Sequence, residues 1–314
     1  MSVSHEGQTA PPVAGARDPR PVHQEPVREA GPVPAIVALV AFPLSYLKDK
    51  SQMVNVQDRE DARRVAIDQV GYSGFDYPVQ IVSRGVLQHT VATYSLGVSL
   101  APNVKGTHMS RFAQFVSTTV DPVTPLTLPL MLERLLQLQR TEWGRIVLRF
   151  PLFLERAAPI SGATARQPYE CGYEVRGSGE ADAEIRLLVR VPVTTLCPCS
   201  KEISDYGAHN QRGYLTLRVI LAPSAPLDLE ALIELAESCG SCPVFPLLKR
   251  EDERAVTMAA YDKPVFVEDM VRDVAVALRS DRDVLGWHVR AENVESIHAH
   301  QAYASIAGGL PILD

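Results

Sequence analysis

Twice along this chain, apolar runs that alternate with period two give way to apolar stripes at helical spacing, and then strand character returns. In the first half, residues 78–86 and 90–100 read as strands with Arg84-Gly85 near the turn, and a helix follows 105–112 to about Val116. Leu128, Met131, Leu132, Leu135 and Leu138 share one helical face and predict a helix over 125–140, ahead of strands over 145–154 and 169–175. The second half repeats the order. Residues 184–193 and 214–221 read as strands, and Asp228 as the N-cap of a helix carrying Leu229, Leu232, Ile233 and Ala236 on one face. Pro264 suits the first turn of a further helix whose buried side is Val267, Met270, Val271, Val274 and Leu278. Strand character returns over 285–291. The pattern predicts an α+β chain of two tandem β-β-α-α-β-β units with antiparallel sheets, about 76–180 and 181–310, rather than one open parallel sheet.

Ahead of these units lies a segment of different composition. Residues 1–33 are rich in Pro, Gly, Ala, Arg and Glu and nearly devoid of large apolar side chains, so they cannot offset their ordering entropy and read as disordered. The apolar stretch Val33–Leu47 is interrupted by Pro34 and Pro43 and is too short to span a bilayer, so no membrane partner is expected. Residues 1–52 are therefore expected to be a disordered or loosely docked extension, with Met53 an alternative start, and 53–314 the folded domain. A formal net charge of −6 argues against a dedicated nucleic-acid binder. Five cysteines, an odd number, fit a reducing cytoplasm better than a secreted disulfide scaffold.

The chemistry concentrates in one polar connection. Cys197-Pro198-Cys199-Ser200-Lys201-Glu202 is followed by His209-Asn210-Gln211-Arg212-Gly213, placing two thiols, an imidazole, a carboxylate and two cations between two strands. Thiolate and imidazole are borderline-soft ligands suited to a divalent transition metal such as zinc, but two donors do not complete a tetrahedral site. Further donors are available in Glu292–His300, which offers two carboxylates and two imidazoles. The block Lys249–Arg254 reads as a solvated turn or helix end. Cys239-Gly240-Ser241-Cys242 lacks the second pair a structural zinc site needs and reads as two semi-buried thiols.

Six ordered motifs resemble the type IB GTP cyclohydrolases. They are Lys-Gly-Thr-His-Met-Ser-Arg-Phe at 105–112, Cys-Pro-Cys-Ser-Lys-Glu-Ile-Ser at 197–204, Gly-Ala-His-Asn-Gln-Arg at 207–212, Leu-Leu-Lys-Arg at 247–250, Phe-Val-Glu-Asp at 266–269 and Glu-Ser-Ile-His at 295–298. The resemblance covers about 56–308 and departs from the family pattern at Met258 and Ala299. It implies the tunnelling fold, assembled into multimeric barrels as a homotetramer with active sites between subunits. It also implies conversion of GTP and water to 7,8-dihydroneopterin triphosphate and formate, the opening step of folate-type pterin synthesis. Purine C8 is a poor electrophile, and a divalent metal (zinc, manganese or iron) would make hydroxide available at neutral pH. By similarity the metal ligands are Cys197, His209 and Glu253, with Glu295 and His298 converging as ligands or as proton donor and acceptor. Cys199 is expected to hydrogen-bond near C8 or to keep the loop tight. Glu268 is expected to accept two N–H groups from the base edge. Lys105, His108, Arg111, Lys201, Arg212 and Arg250 form the pool of cations for the triphosphate.

Overall fold

The computed structural model describes residues 55–312, and the expectations for 1–52 lie outside them. The first unit is β1 (Ile67–Ser83), β2 (Val86–Leu100), α1 (Met109–Ser117), α2 (Leu128–Gln139), β3 (Gly144–Ala157) and β4 (Thr164–Gly177). The second is β5 (Glu184–Leu196), α3 (Pro198–Ile203), β6 (Asn210–Leu221), α4 (Leu229–Cys239), β7 (Cys242–Pro243), α5 (Arg250–Asp262), α6 (Val267–Ser280), β8 (Val284–Val294) and β9 (Ala302–Gly309). The expected β-β-α-α-β-β order is present, with α3, β7 and α5 added in the second unit, and the units share one antiparallel sheet in the order β1-β2-β3-β4-β5-β6-β8-β9, with β7 beside β5.

α1 and α2 lie on the first half of the sheet, while α4 and α6 lie on the second. The stripe predicted for α2 is buried, with Leu128, Leu132 and Leu135 fully occluded, and Phe112 and Phe115 of α1 are likewise buried. Each such side chain contributes about 1.5–3 kcal/mol by leaving water. Strand residues alternate accordingly. Ile146, Leu148 and Phe150 of β3 enter this core, whereas Arg145 and Arg149 point to the opposite face.

The structure departs from the sequence reading at several places. β1 begins at Ile67, well before 78, because its first half is exposed, carries Gly71 and Gly74, and pairs with β2 through two register shifts. Those irregularities erase the period-two signal. Pro264 precedes α6 rather than starting it, since the N-cap is Phe266. The block at 249–254 is a helix end, as one of its two readings had it, but the helix it opens, α5, was not predicted. The β1–β2 turn is as expected: Arg84 (φ 45°) and Gly85 (φ 79°) both adopt the left-handed conformation of a tight hairpin.

Asp228 caps α4, its carboxylate accepting the Ala231 N–H at 2.8 Å. Asp228→Ala is expected to cost about 1 kcal/mol. The cost should appear in thermal melts as a fall of roughly 2–4 °C with no change in oligomer size.

Candidate active site

At the far end of β5 the chain turns through Cys197, which is the N-cap of α3, with Pro198 in the first helical position. Cys197 Sγ accepts the Ser200 N–H at 3.4 Å. The Cys197 N–H donates to the His209 carbonyl at 3.1 Å, and the His209 N–H donates to Ser200 Oγ at 2.9 Å. These bonds bring Cys197 and His209 side by side across the mouth of the β5–β6 hairpin. Both are partly buried, whereas Cys199 is exposed on α3.

Gln211 sets the orientation of the imidazole. Its Nε2 donates to the buried Thr195 Oγ1 at 3.0 Å, which leaves Oε1 to face His209 Nδ1 at 2.9 Å. An amide oxygen can only accept, so Nδ1 carries a proton, and in the neutral ring Nε2 keeps its lone pair. That is the tautomer a metal ligand needs. Sequence reading passed over Gln211 and Thr195. Their place two residues after His209 and two before Cys197 was the available signal.

Two further segments reach the same end of the sheet. Arg212 pairs in register with Val294, so the connection from Val294 to β9 continues past the start of β6. Within it Ser296 Oγ lies 3.5 Å from His209 Nδ1. Glu295 is half-buried, and the exposed His298 and His300 rings stack with centroids 5.0 Å apart. The approach to α6 is tied to β5 by the Val265 N–H, which donates to the Leu196 carbonyl at 3.1 Å. This sets exposed Glu268, in the first turn of α6, near the Cys197 corner. Arg212 starts out from the same corner on β6.

Lys201 stands on α3 beside Cys197, and Glu253 on α5. Lys201 Nζ donates to the Tyr261 carbonyl at 2.5 Å and lies 4.2 Å over the Tyr261 ring. This pins α3 to the C-terminal end of α5, and Glu253 lies eight residues back along that helix, about 12 Å away. Neighbouring Asp252 is fully buried and accepts from Ile160 N–H, Ser161 N–H, Ser161 Oγ–H and Lys249 N–H, all within 2.9 Å. Burial disfavours its charge, but the bonds from Ser161, Lys249 and Ile160 outweigh that and hold the carboxyl well below the usual range. Among the described residues no three His, Cys, Asp or Glu side chains converge closely enough to hold a metal. Cys197 and His209 are thus a neighbouring pair of borderline-soft donors.

Lys105, His108 and Arg111 stand at the opposite end of the sheet. They follow β2, whose end is level with the start of β3, the end of β4 and the start of β5. From there β5 runs twelve residues to Leu196, about 40 Å along the strand. His108 Nε2 lies 3.0 Å from Asp58 Oδ1, and Arg111 Nη1 lies 3.5 Å from the Gln139 carbonyl. Both line a cavity of about 780 Å³.

The family model for type I GTP cyclohydrolase folE2 matches residues 53–304. The chain belongs to the type I GTP cyclohydrolase family. GTP cyclohydrolase FolE2 1 of Dechloromonas aromatica (strain RCB) is 46% identical over 256 residues, covering 81% of this chain and 95% of that relative. GTP cyclohydrolase FolE2 of Janthinobacterium sp. (strain Marseille) is 45% identical over 254 residues, covering 80% and 93%. The family's FolE2 of Akkermansia muciniphila is 45% identical over 260 residues, covering 81% and 97%. Among solved structures, uricase from Arthrobacter globiformis aligns over 76% of this chain and 92% of its own, with TM-score 0.42 and 11% identity. No helix among the described residues is long and apolar enough to cross a membrane.

Proposed function

We propose that this chain is a cytoplasmic GTP cyclohydrolase of the IB subtype, hydrolysing and rearranging GTP to 7,8-dihydroneopterin triphosphate and formate for folate-type pterin synthesis. The observation that carries the reading is the meeting of Cys197, His209, the Glu295–His300 segment and the Glu268 end of α6 at one end of the sheet. Cys197 and His209 would hold a divalent cation (zinc, manganese or iron), which would supply the acidity that makes water a nucleophile at neutral pH. The remaining roles belong to side chains. Glu268 accepts two N–H groups of the guanine edge and orients C8 toward the thiol–imidazole pair. Glu295 and His298 complete the cation's donor set, or move protons during ring opening and loss of formate. Cys199 hydrogen-bonds near C8, and Glu253 joins the donor set from a neighbouring copy or after α5 shifts.

The triphosphate needs cations, and Lys105, His108 and Arg111 sit too far from Cys197 to serve the same chain. Their separation supports a site completed between subunits, with one copy supplying the Cys197 corner and another the 105–111 segment, as in a homotetramer. Lys201 and Arg212 add positive charge from the Cys197 side.

Incubation with GTP and manganese, followed by oxidation, should yield pterin fluorescence and stoichiometric formate. Absence of both after reconstitution with each of the three metals would remove the assignment. Glu268→Ala is expected to lower kcat/KM for GTP about a hundredfold, through loss of two charge-assisted bonds, with oligomer size unchanged. Steady-state kinetics and gel filtration check both parts.

A further inference from the structure

The sheet face opposite the helices holds a second concentration of chemistry, which the reaction does not use. A cavity of about 280 Å³ opens there, lined by Arg145, Arg149, Arg186 and Arg218 and, among the described residues, by one carboxylate, Glu174. The arginines come from β3, β5 and β6, so rigid strands rather than loops set their spacing. Glu174 is already engaged: Arg145 Nε lies 2.8 Å and Arg186 Nη1 3.5 Å from its Oε1. Arg186 also meets Glu184 at 2.6 Å, and Arg176 meets Glu184 at 3.0 Å. Arg149 makes no ion pair among the described residues.

Space for Arg149 is built into the next strand. Arg149 is in register with Gly172, where an added Cβ would lie 3.0 Å from Arg149 Cδ and 3.3 Å from its Nη1. A side chain at 172 would meet the Leu148 carbonyl at 2.8 Å and require the Arg149 side chain to give by a few tenths of an ångström. The field there is positive: crowding by the lining, then the charges of Arg218 and Arg145, hold the Arg149 guanidinium below its usual pKa although part of its side chain meets solvent.

We propose that this cavity is a binding site for a phosphate-class oxyanion, separate from the reaction centre. Guanidinium forks match tetrahedral oxyanions and bind them bidentately. The one ring among the described lining residues, Tyr173, is buried in the core, so no exposed aromatic face is offered to a base. With a volume just under the usual range for organic ligands, this favours inorganic phosphate or pyrophosphate over a nucleotide. The site is distinct from both halves of the cyclohydrolase centre. It shares no lining residue with the cavity beside His108 and Arg111. Arg186 stands ten residues up β5 from Leu196, roughly 30 Å along the strand from the Cys197 corner. The inference does not depend on the cyclohydrolase reading.

Calorimetric titration of the full chain with pyrophosphate at low salt tests it. Pyrophosphate should bind at one site per chain, with affinity unchanged by Cys197→Ala or Arg111→Ala and lowered about tenfold or more by Arg149→Ala. Arg149→Gln, which keeps the stem of the side chain, should weaken binding similarly, and melting curves show whether either variant is folded. KM for GTP should be unchanged in both. A parallel titration with ATP distinguishes the source of the phosphate: tighter pyrophosphate binding marks an inorganic anion, and tighter Arg149-dependent ATP binding marks a nucleotide tail. Undiminished pyrophosphate affinity in folded Arg149→Ala and Arg149→Gln overturns the site. A rise in KM for GTP matching the loss of pyrophosphate binding overturns its separateness.

Discussion

Cys197→Ala and His209→Ala are each expected to reduce formate release from GTP by roughly a thousandfold, about 4 kcal/mol of transition-state stabilisation. The fold should survive both changes. Cys197 contributes its backbone to the turn, through an N–H to the His209 carbonyl and a carbonyl to the Lys201 N–H, and alanine keeps those bonds. What is lost is Sγ, or the imidazole that Gln211 and Thr195 hold in one tautomer. Gel filtration and melting temperature should therefore match the parent protein while activity collapses. Elemental analysis supplies an independent readout, since each variant should also carry less bound metal. Near-parental turnover in both would remove the thiol–imidazole pair from the chemistry, whatever the family.

Asp252→Ala is expected to be the most destabilising single change near the site, lowering the melting temperature on the order of 10 °C. Its carboxylate binds the N-terminus of α5 to the β3–β4 turn, and truncation leaves buried donors on Ile160, Ser161 and Lys249 without an acceptor. The sign of the pH dependence follows from the depressed carboxyl. Its contribution is complete above the unfolded carboxylate range, near pH 4, and is lost as pH falls through that range toward the lower folded value. The stability gap between the parent and Asp252→Asn should therefore be constant from neutral pH down to about pH 5 and narrow below it. Urea midpoints across that range measure the gap. An effect confined to GTP turnover, with equal midpoints, would mean that Asp252 acts on chemistry rather than on the placement of α5.

Much of the architecture was legible because periodicity and burial coincide. The α2 stripe, the Asp228 cap and the core face of α6 all follow from side chains that must leave water. The first half of β1 was not legible, since bulged, glycine-bearing and exposed residues carry no alternation. α5 was missed for a different reason. Its opening run of charges reads as solvated surface, yet Asp252 is buried among backbone donors that lie ninety residues earlier in the chain. At the site, the pairing of Cys197 with His209 follows from a short hairpin connection, which sequence can suggest. The separation of both from Lys105, His108 and Arg111 depends on strand direction across the whole sheet, which no local motif encodes.

Because neighbours in the sheet are nearly always neighbours in sequence, pairing can proceed outward from β1 as the chain is made. Four strands can close on each other, beneath α1 and α2, before any of the second unit has been synthesised. Beside the outer edge of β1, that half-product exposes an unsatisfied edge on β4 that β5 later covers. The interval between translation of Gly177 and of Leu196 is thus when a nascent molecule is most open to pairing with the wrong strand.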